Sequence, residues 1–169
     1  MKKYLYLFII TVSFFSFFLI LYKSTNNNKP INKKFIIRGN SLTPLLNPGD
    51  EISLTKKSEI KEIKQGDFVI FNNARHSEAP IIKLVAGVGG QTISLKKNSD
   101  NTQTLLVDNK QIFTPNGEIY RLPENKMKMF KLYSGIIPSE NYLVIGNFDS
   151  LDSSKIGLVR DFEVLGIAK

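Results

Sequence analysis

Two hydrophobic patterns divide the chain. Residues 4–22 form an uncharged run of about nineteen residues rich in Phe, Leu and Ile, long enough at about 1.5 Å per residue to cross roughly 30 Å of hydrocarbon. Beyond it, apolar positions come in short runs or alternate with polar ones, the period-two signature of strands. Strands are predicted at 35–38, 51–55, 68–71, 81–88, 92–95, 104–107, 142–145 and 162–168. Turn-forming clusters separate them, among them Asn47-Pro48-Gly49-Asp50, Gln65-Gly66-Asp67, Gly89-Gly90, Asp108-Asn109, Pro115-Asn116-Gly117 and Ile137-Pro138-Ser139. No long amphipathic helix follows the first run. The expected architecture is mainly β, an antiparallel sheet or barrel-like domain behind one N-terminal transmembrane helix.

The first run ends in Leu21-Tyr22-Lys23. A cleaved secretory signal has a shorter apolar region, about 7–15 residues, closed by a small-residue site, so the run reads as an uncleaved anchor. The expected organisation is an anchor over 1–23, a polar stalk over 24–34 containing Asn26-Asn27-Asn28-Lys29-Pro30, and one domain over 35–169. Within the domain, 96–131 reads as a variable insertion with a hairpin around Asp108-Asn109. Lys2 and Lys3 face Lys23, Lys29, Lys33 and Lys34 across the apolar run, so charge alone leaves its orientation open.

Composition narrows the chemistry. The net charge of +8 is spread over scattered lysines, a solvated surface suited to anionic lipid headgroups rather than a nucleic-acid footprint. The chain has no cysteine, which excludes disulfides, thiolate nucleophiles and cysteine zinc sites. Its one histidine, His76, sits in the polar stretch Asn72 to Glu78 and reads as a solvated loop residue. A Ser/His/Asp triad would have to use it.

A serine flanked by turn-forming residues and a later lysine inside an apolar run suggest a hydrolase working with serine and lysine. Ser41 follows a predicted strand and the pair Gly39-Asn40, where glycine permits close approach of a substrate. Lys83 lies inside the apolar strand Pro80-Ile81-Ile82-Lys83-Leu84-Val85. Burial there would depress its pKa, as a lysine base requires. A third segment, Gly146 to Gly157, is a polar loop after a predicted strand, rich in Asp and Ser.

In order along the chain, these segments resemble the type I signal peptidases, membrane-bound serine/lysine proteases. The family's Ser-Met-x-Pro-Thr-Leu-x-x-Gly-Asp segment appears as Ser41-Leu42-Thr43-Pro44-Leu45-Leu46-Asn47-Pro48-Gly49-Asp50. Its Gly-Asp-Val/Ile-Val-x-Phe strand appears as Gly66-Asp67-Phe68-Val69-Ile70-Phe71, and its lysine segment as Lys83-Leu84-Val85-Ala86-Gly87-Val88-Gly89-Gly90-Gln91. The final box is represented by Gly146, Ser150-Leu151-Asp152-Ser153 and Gly157. The sequence departs from the pattern at Leu42 for methionine, Leu84 for arginine, Gln91 for aspartate, a missing Asp-Asn-Arg tripeptide, a final loop about two residues shorter, and Ser154 for arginine. These departures suggest a divergent member with few substrates, as in conjugative-transfer and pilin-processing relatives.

The resemblance implies Ser41 as nucleophile and Lys83 as general base, with Gly39 and Asn40 supporting, Ser150 aiming the lysine amine and Asp152 holding the loop. It implies no metal or organic cofactor. The oxyanion falls to the Ser41 N–H and a second donor, since Gly39 stands where some relatives supply a serine hydroxyl. Substrate would bind as an extended strand beside Ile36, Arg38, Ile81 and Ile82. The implied partners are preproteins carrying signal peptides, and membrane lipid, with the domain on the outer face of the cytoplasmic membrane. Residues 126–133, which mix lysines with Met, Phe and Leu, read as a half-buried strand, the alternative being a surface lying against lipid. Two rival functions are a self-cleaving protein with the same dyad, disfavoured by the anchor, and a peptide-binding assembly factor that does not cut.

Overall fold

The computed structural model describes residues 33–126, 129–130 and 135–169. The expected membrane anchor and the stalk up to residue 32 lie outside the described residues; among those described, no helix is long and apolar enough to cross a membrane. Residues Lys33–Lys169 form one unit.

Among the described residues every strand pairing is antiparallel. A seven-stranded sheet runs in the order β1 (Lys34–Ile36), β2 (Glu51–Lys56), β12 (Val164–Ala168), β3 (Phe68–Phe71), β4 (Ile81–Val88), β10 (Asn141–Ile145) and β11 (Val159–Arg160). A second sheet runs β7 (Lys110–Gln111), β6 (Thr102–Val107), β5 (Thr92–Lys97) and β9 (Gly135–Ile136), with β8 (Arg121–Pro123) also on β6. The expected mainly β antiparallel body is therefore present.

The burial pattern explains which strands are central. β10 reads Asn-Tyr-Leu-Val-Ile and is buried along most of its length. Leu143 and Ile145 enter a cluster with Leu105, Tyr120 and Phe130, while Tyr142 and Val144 enter another with Val69, Phe71 and Val85. A strand covered on both faces needs this continuous apolar run rather than alternation. A third cluster gathers Ile37, Ile52, Leu54 and Ile70 under β1 and β2.

Differences from the sequence reading are local. The body begins earlier than residue 35: Lys34 is already in β1, and the Lys33 carbonyl accepts from the Leu54 N–H at 2.9 Å. The last strand starts at Val164, because Asp161–Glu163 forms a 3-10 turn whose start is held by the Glu163 carboxylate accepting the Arg160 N–H at 2.8 Å. The Asp108-Asn109 hairpin forms as read, both residues taking positive φ, 49° and 61°, as a two-residue turn of type I′ demands. Of the strand expected over 126–133, residues 127–128 and 131–133 lie outside the described residues; where it is described it is corrected, since Lys126 closes a 3-10 turn and Met129 and Phe130 are helical. Lysines mixed with apolar residues over so short a stretch fit either period. Burial of the Phe130 ring edge-on to Tyr120, centroids 6.0 Å apart, decides the outcome.

Candidate active site

The turn after β1 is built by its own side chains. Leu42 is buried and pins the loop to the body. The Thr43 hydroxyl and N–H both donate to the Asn40 carbonyl, at 2.9 and 3.2 Å, and the Leu46 N–H donates to the Leu42 carbonyl at 3.0 Å. At its far end the Asp50 carboxylate accepts the Asn47 N–H at 2.7 Å, and Gly49, at φ 95°, donates to the Ile37 carbonyl at 2.8 Å. That left-handed turn favours glycine. These bonds present Ser41 half-buried at the head of the loop. Its carbonyl accepts the Asn147 N–H at 2.7 Å, while its own N–H has no partner among the described residues.

Lys83 comes from β4, paired with Val69 of β3. It is only 5% exposed, and its Nζ donates to Ser41 Oγ at 2.6 Å. Removal of water from the ammonium lowers its pKa from 10.5 to about 8; the Asp152 carboxylate opposes that shift and Lys155 adds to it. The two residues that the sequence pattern singled out, separated by 42 positions, are thus in direct hydrogen-bond contact.

Asp152, 2% exposed, caps the helical turn α1 (Ser153–Ile156). Its Oδ1 accepts the Ser154 N–H at 3.0 Å and hydroxyl at 2.7 Å. Its Oδ2 accepts the Tyr120 hydroxyl at 2.9 Å, the Ser150 hydroxyl at 3.3 Å and the Gly146 N–H at 3.4 Å. The Ser150 hydroxyl, expected to aim the Lys83 amine, is on Asp152, while the Lys83 amine donates to Ser41. Gly146 lies so close that a Cβ there would come within 2.6 Å of Ser150 Oγ and 2.9 Å of the Ser41 carbonyl oxygen.

A groove of about 670 Å³ runs past this pair, with Ile36, Arg38 and Gly39 along one part of its lining and Ile81 and Ile82 along another. Both flanks carry free strand edge. Among the described residues β1 pairs only with β2, and the pairing of β10 with β4 stops at Leu84, short of Ile81–Lys83. Ile37 spends its main-chain groups on Asp50 and Gly49, and Val85 spends its own on Asp67 and Gly66. By the alternation of antiparallel ladders, the main-chain groups of Ile36, Arg38 and Ile82 turn toward the unpaired edges. Gly39 meets nothing within 4 Å where a Cβ would stand, leaving the approach to Ser41 open. His76 is exposed in its loop with Nδ1 2.9 Å from Asn73 Oδ1, and no acidic or histidine cluster able to hold a metal occurs among the described residues.

Two residues of the site were not singled out by the sequence reading. Asn147 ties three segments together: its Nδ2 donates to the Thr43 carbonyl at 2.8 Å and the Asn40 carbonyl at 3.3 Å, and its Oδ1 accepts the Asn116 N–H at 3.0 Å. Tyr120 arrives from the segment read as a variable insertion. For Asn147 the signal was its place directly after Gly146 in the polar loop; for Tyr120 no local motif marks the role.

The model of the signal peptidase family, peptidase S26, matches residues 3–169. Among solved structures, a signal peptidase I from Enterococcus faecalis is similar at 20% identity, with 64% of this chain and 97% of that chain covered and a TM-score of 0.41. No curated protein matches the chain significantly.

Proposed function

Since the chain belongs to the signal peptidase family, peptidase S26, we propose that it is a membrane-anchored serine endopeptidase that removes signal peptides through Ser41 and Lys83. The observation that carries this reading is the 2.6 Å contact between a buried, desolvated amine and the Ser41 hydroxyl. An amine titrating near 8 is neutral in about a tenth of molecules at pH 7 and in most at pH 9. In the neutral state the contact reverses, and the serine hydroxyl donates to Nζ.

The chemistry follows from that reversal. As Ser41 Oγ bonds to the scissile carbonyl carbon, its proton passes to Lys83 Nζ, and the carbonyl electrons move onto oxygen. The Ser41 N–H, without a partner among the described residues, would donate to that oxyanion. The lysine ammonium then protonates the departing amine, leaving an ester on Ser41 and a neutral lysine. A water attacks the ester carbonyl, giving its proton to Lys83, and Ser41 leaves with that proton restored. No step calls for a metal or organic cofactor.

Substrate binding is assigned to the groove. An extended peptide would add as a strand between the open edges of β1 and β4, taking main-chain bonds from Ile36, Arg38 and Ile82. Side chains pointing into the apolar lining would be small, while the exposed Arg38 stays beside the peptide. The uncharged run over 4–22 would hold the domain at the membrane with its preprotein substrates, on the outer face of the cytoplasmic membrane.

Asn147→Ala removes the amide that holds Asn40 and Thr43 beside Ser41. The expected result is a fall of about tenfold in kcat with little change in KM, because the nucleophile loses its fixed aim while the groove survives. Steady-state kinetics of the purified variant check it; unchanged kcat would remove Asn147 from the site. The function itself is tested by offering detergent-purified full-length protein a panel of signal-peptide and prepilin substrates and sequencing the products. One cut after a small residue is expected. A panel left intact by folded protein would favour a peptide binder that does not cut.

A further inference from the structure

The Asp152 carboxylate is buried beside the dyad without an ion-pair partner among the described residues. Its bonded neighbours are neutral: the Gly146 and Ser154 N–H groups and the hydroxyls of Ser150, Ser154 and Tyr120. Four of these five donors belong to the same short loop as Asp152 itself. Only the Tyr120 hydroxyl comes from elsewhere, across 32 positions of sequence, at 2.9 Å. Its ring is held by packing: Tyr120 is 1% exposed, with Phe130 edge-on at 6.0 Å and Phe148 at 6.4 Å.

We infer that Tyr120 is a positioning residue of the Ser41/Lys83 site, fixing the Asp152 carboxylate relative to the Lys83 amine and partly offsetting its charge. This rests on the proposed dyad. Residues 96–131, read from sequence as an insertion, thereby supply part of the site: Tyr120 reaches Asp152, and the Asn116 N–H reaches Asn147.

Burial, with Asp152 next to it, holds the Tyr120 phenol far above its ordinary pKa, so it stays a donor at every pH at which the protein works. The charged groups acting on the Lys83 amine are then Asp152, which holds the proton on, and Lys155, which drives it off. A charge-assisted hydrogen bond takes up part of the carboxylate's field. With the hydroxyl gone, more of that field reaches Lys83, and its ammonium persists to higher pH.

The test is Tyr120→Phe, which keeps the buried ring and removes only the oxygen. Titration of the Lys83 side chain in full-length protein carrying 13Cε-labelled lysine, assigned with Lys83→Met, should show a midpoint near 8 in the unmodified chain and a higher one in the variant. The acid limb of the peptide-cleavage profile should move the same way, with kcat at pH 7 down on the order of tenfold and KM nearly unchanged, the scale at which outer partners of a site act. In an Asp152→Asn background, adding Tyr120→Phe should change neither readout further. An unshifted Lys83 titration in a folded Tyr120→Phe chain would overturn the inference, as would equal effects with and without the Asp152 carboxylate. Cleavage that survives Ser41→Ala would instead overturn the dyad, so the two failures are distinguishable.

Discussion

With Lys83 as the proposed base, Lys83→Arg is expected to abolish peptide cleavage, reducing kcat on the order of 10⁴-fold with the fold kept, because guanidinium stays protonated and would not accept the Ser41 proton. The contact at 2.6 Å and the burial of Lys83 make this a test of proton acceptance rather than of charge. The same chemistry sets a pH dependence. On the proposed dyad the active form is the neutral amine, whose pKa is lowered to about 8 by burial. Below pH 8, kcat/KM therefore falls tenfold for each unit of pH, and above it the profile levels off. A profile flat from pH 6 to 9, or cleavage by Lys83→Arg at the unmodified rate, would contradict Lys83 as base.

Gly146→Ala has the second large effect expected. The added Cβ would stand 2.6 Å from Ser150 Oγ, which can rotate away, and 2.9 Å from the Ser41 carbonyl oxygen, which is main chain and can move only with the nucleophile. A displacement approaching 1 Å at a reacting group costs about a hundredfold in rate. We expect kcat to drop by about that factor, with the melting temperature lowered on the order of 5 °C by overpacking. Kinetics and a thermal melt on one preparation separate the two. A variant with unimpaired kcat would show that the final loop does not set the position of Ser41.

How far the sequence anticipated the molecule depends on the range of the interaction. β3 and β4 were readable at their full bounds because each is an apolar run with a glycine turn close by, a local signal. That Ser41 and Lys83 belong together, as their 2.6 Å contact has it, was readable because the turn and strand residues around each keep a spaced pattern that one segment carries by itself. Tyr120 was not: the use of its hydroxyl is fixed by a carboxylate 32 positions away and by rings that meet it only in the fold. Ser150 illustrates the converse, since a hydroxyl at the motif position was assigned to the lysine while in the fold it donates to Asp152. The helical Met129 and Phe130 follow the same rule, with burial against Tyr120 overriding a period too short to read.

The most direct test of the account is to compare the rates at which full-length unmodified protein and its Ser41→Ala variant cleave one signal-peptide substrate at pH 9, with acid-quenched protein mapped for an acyl adduct. The account predicts a cut after a small residue, an adduct on the peptide containing Ser41, and a loss on the order of 10⁴-fold or more in the variant. Cleavage undiminished in Ser41→Ala, or an adduct on another residue, would contradict it.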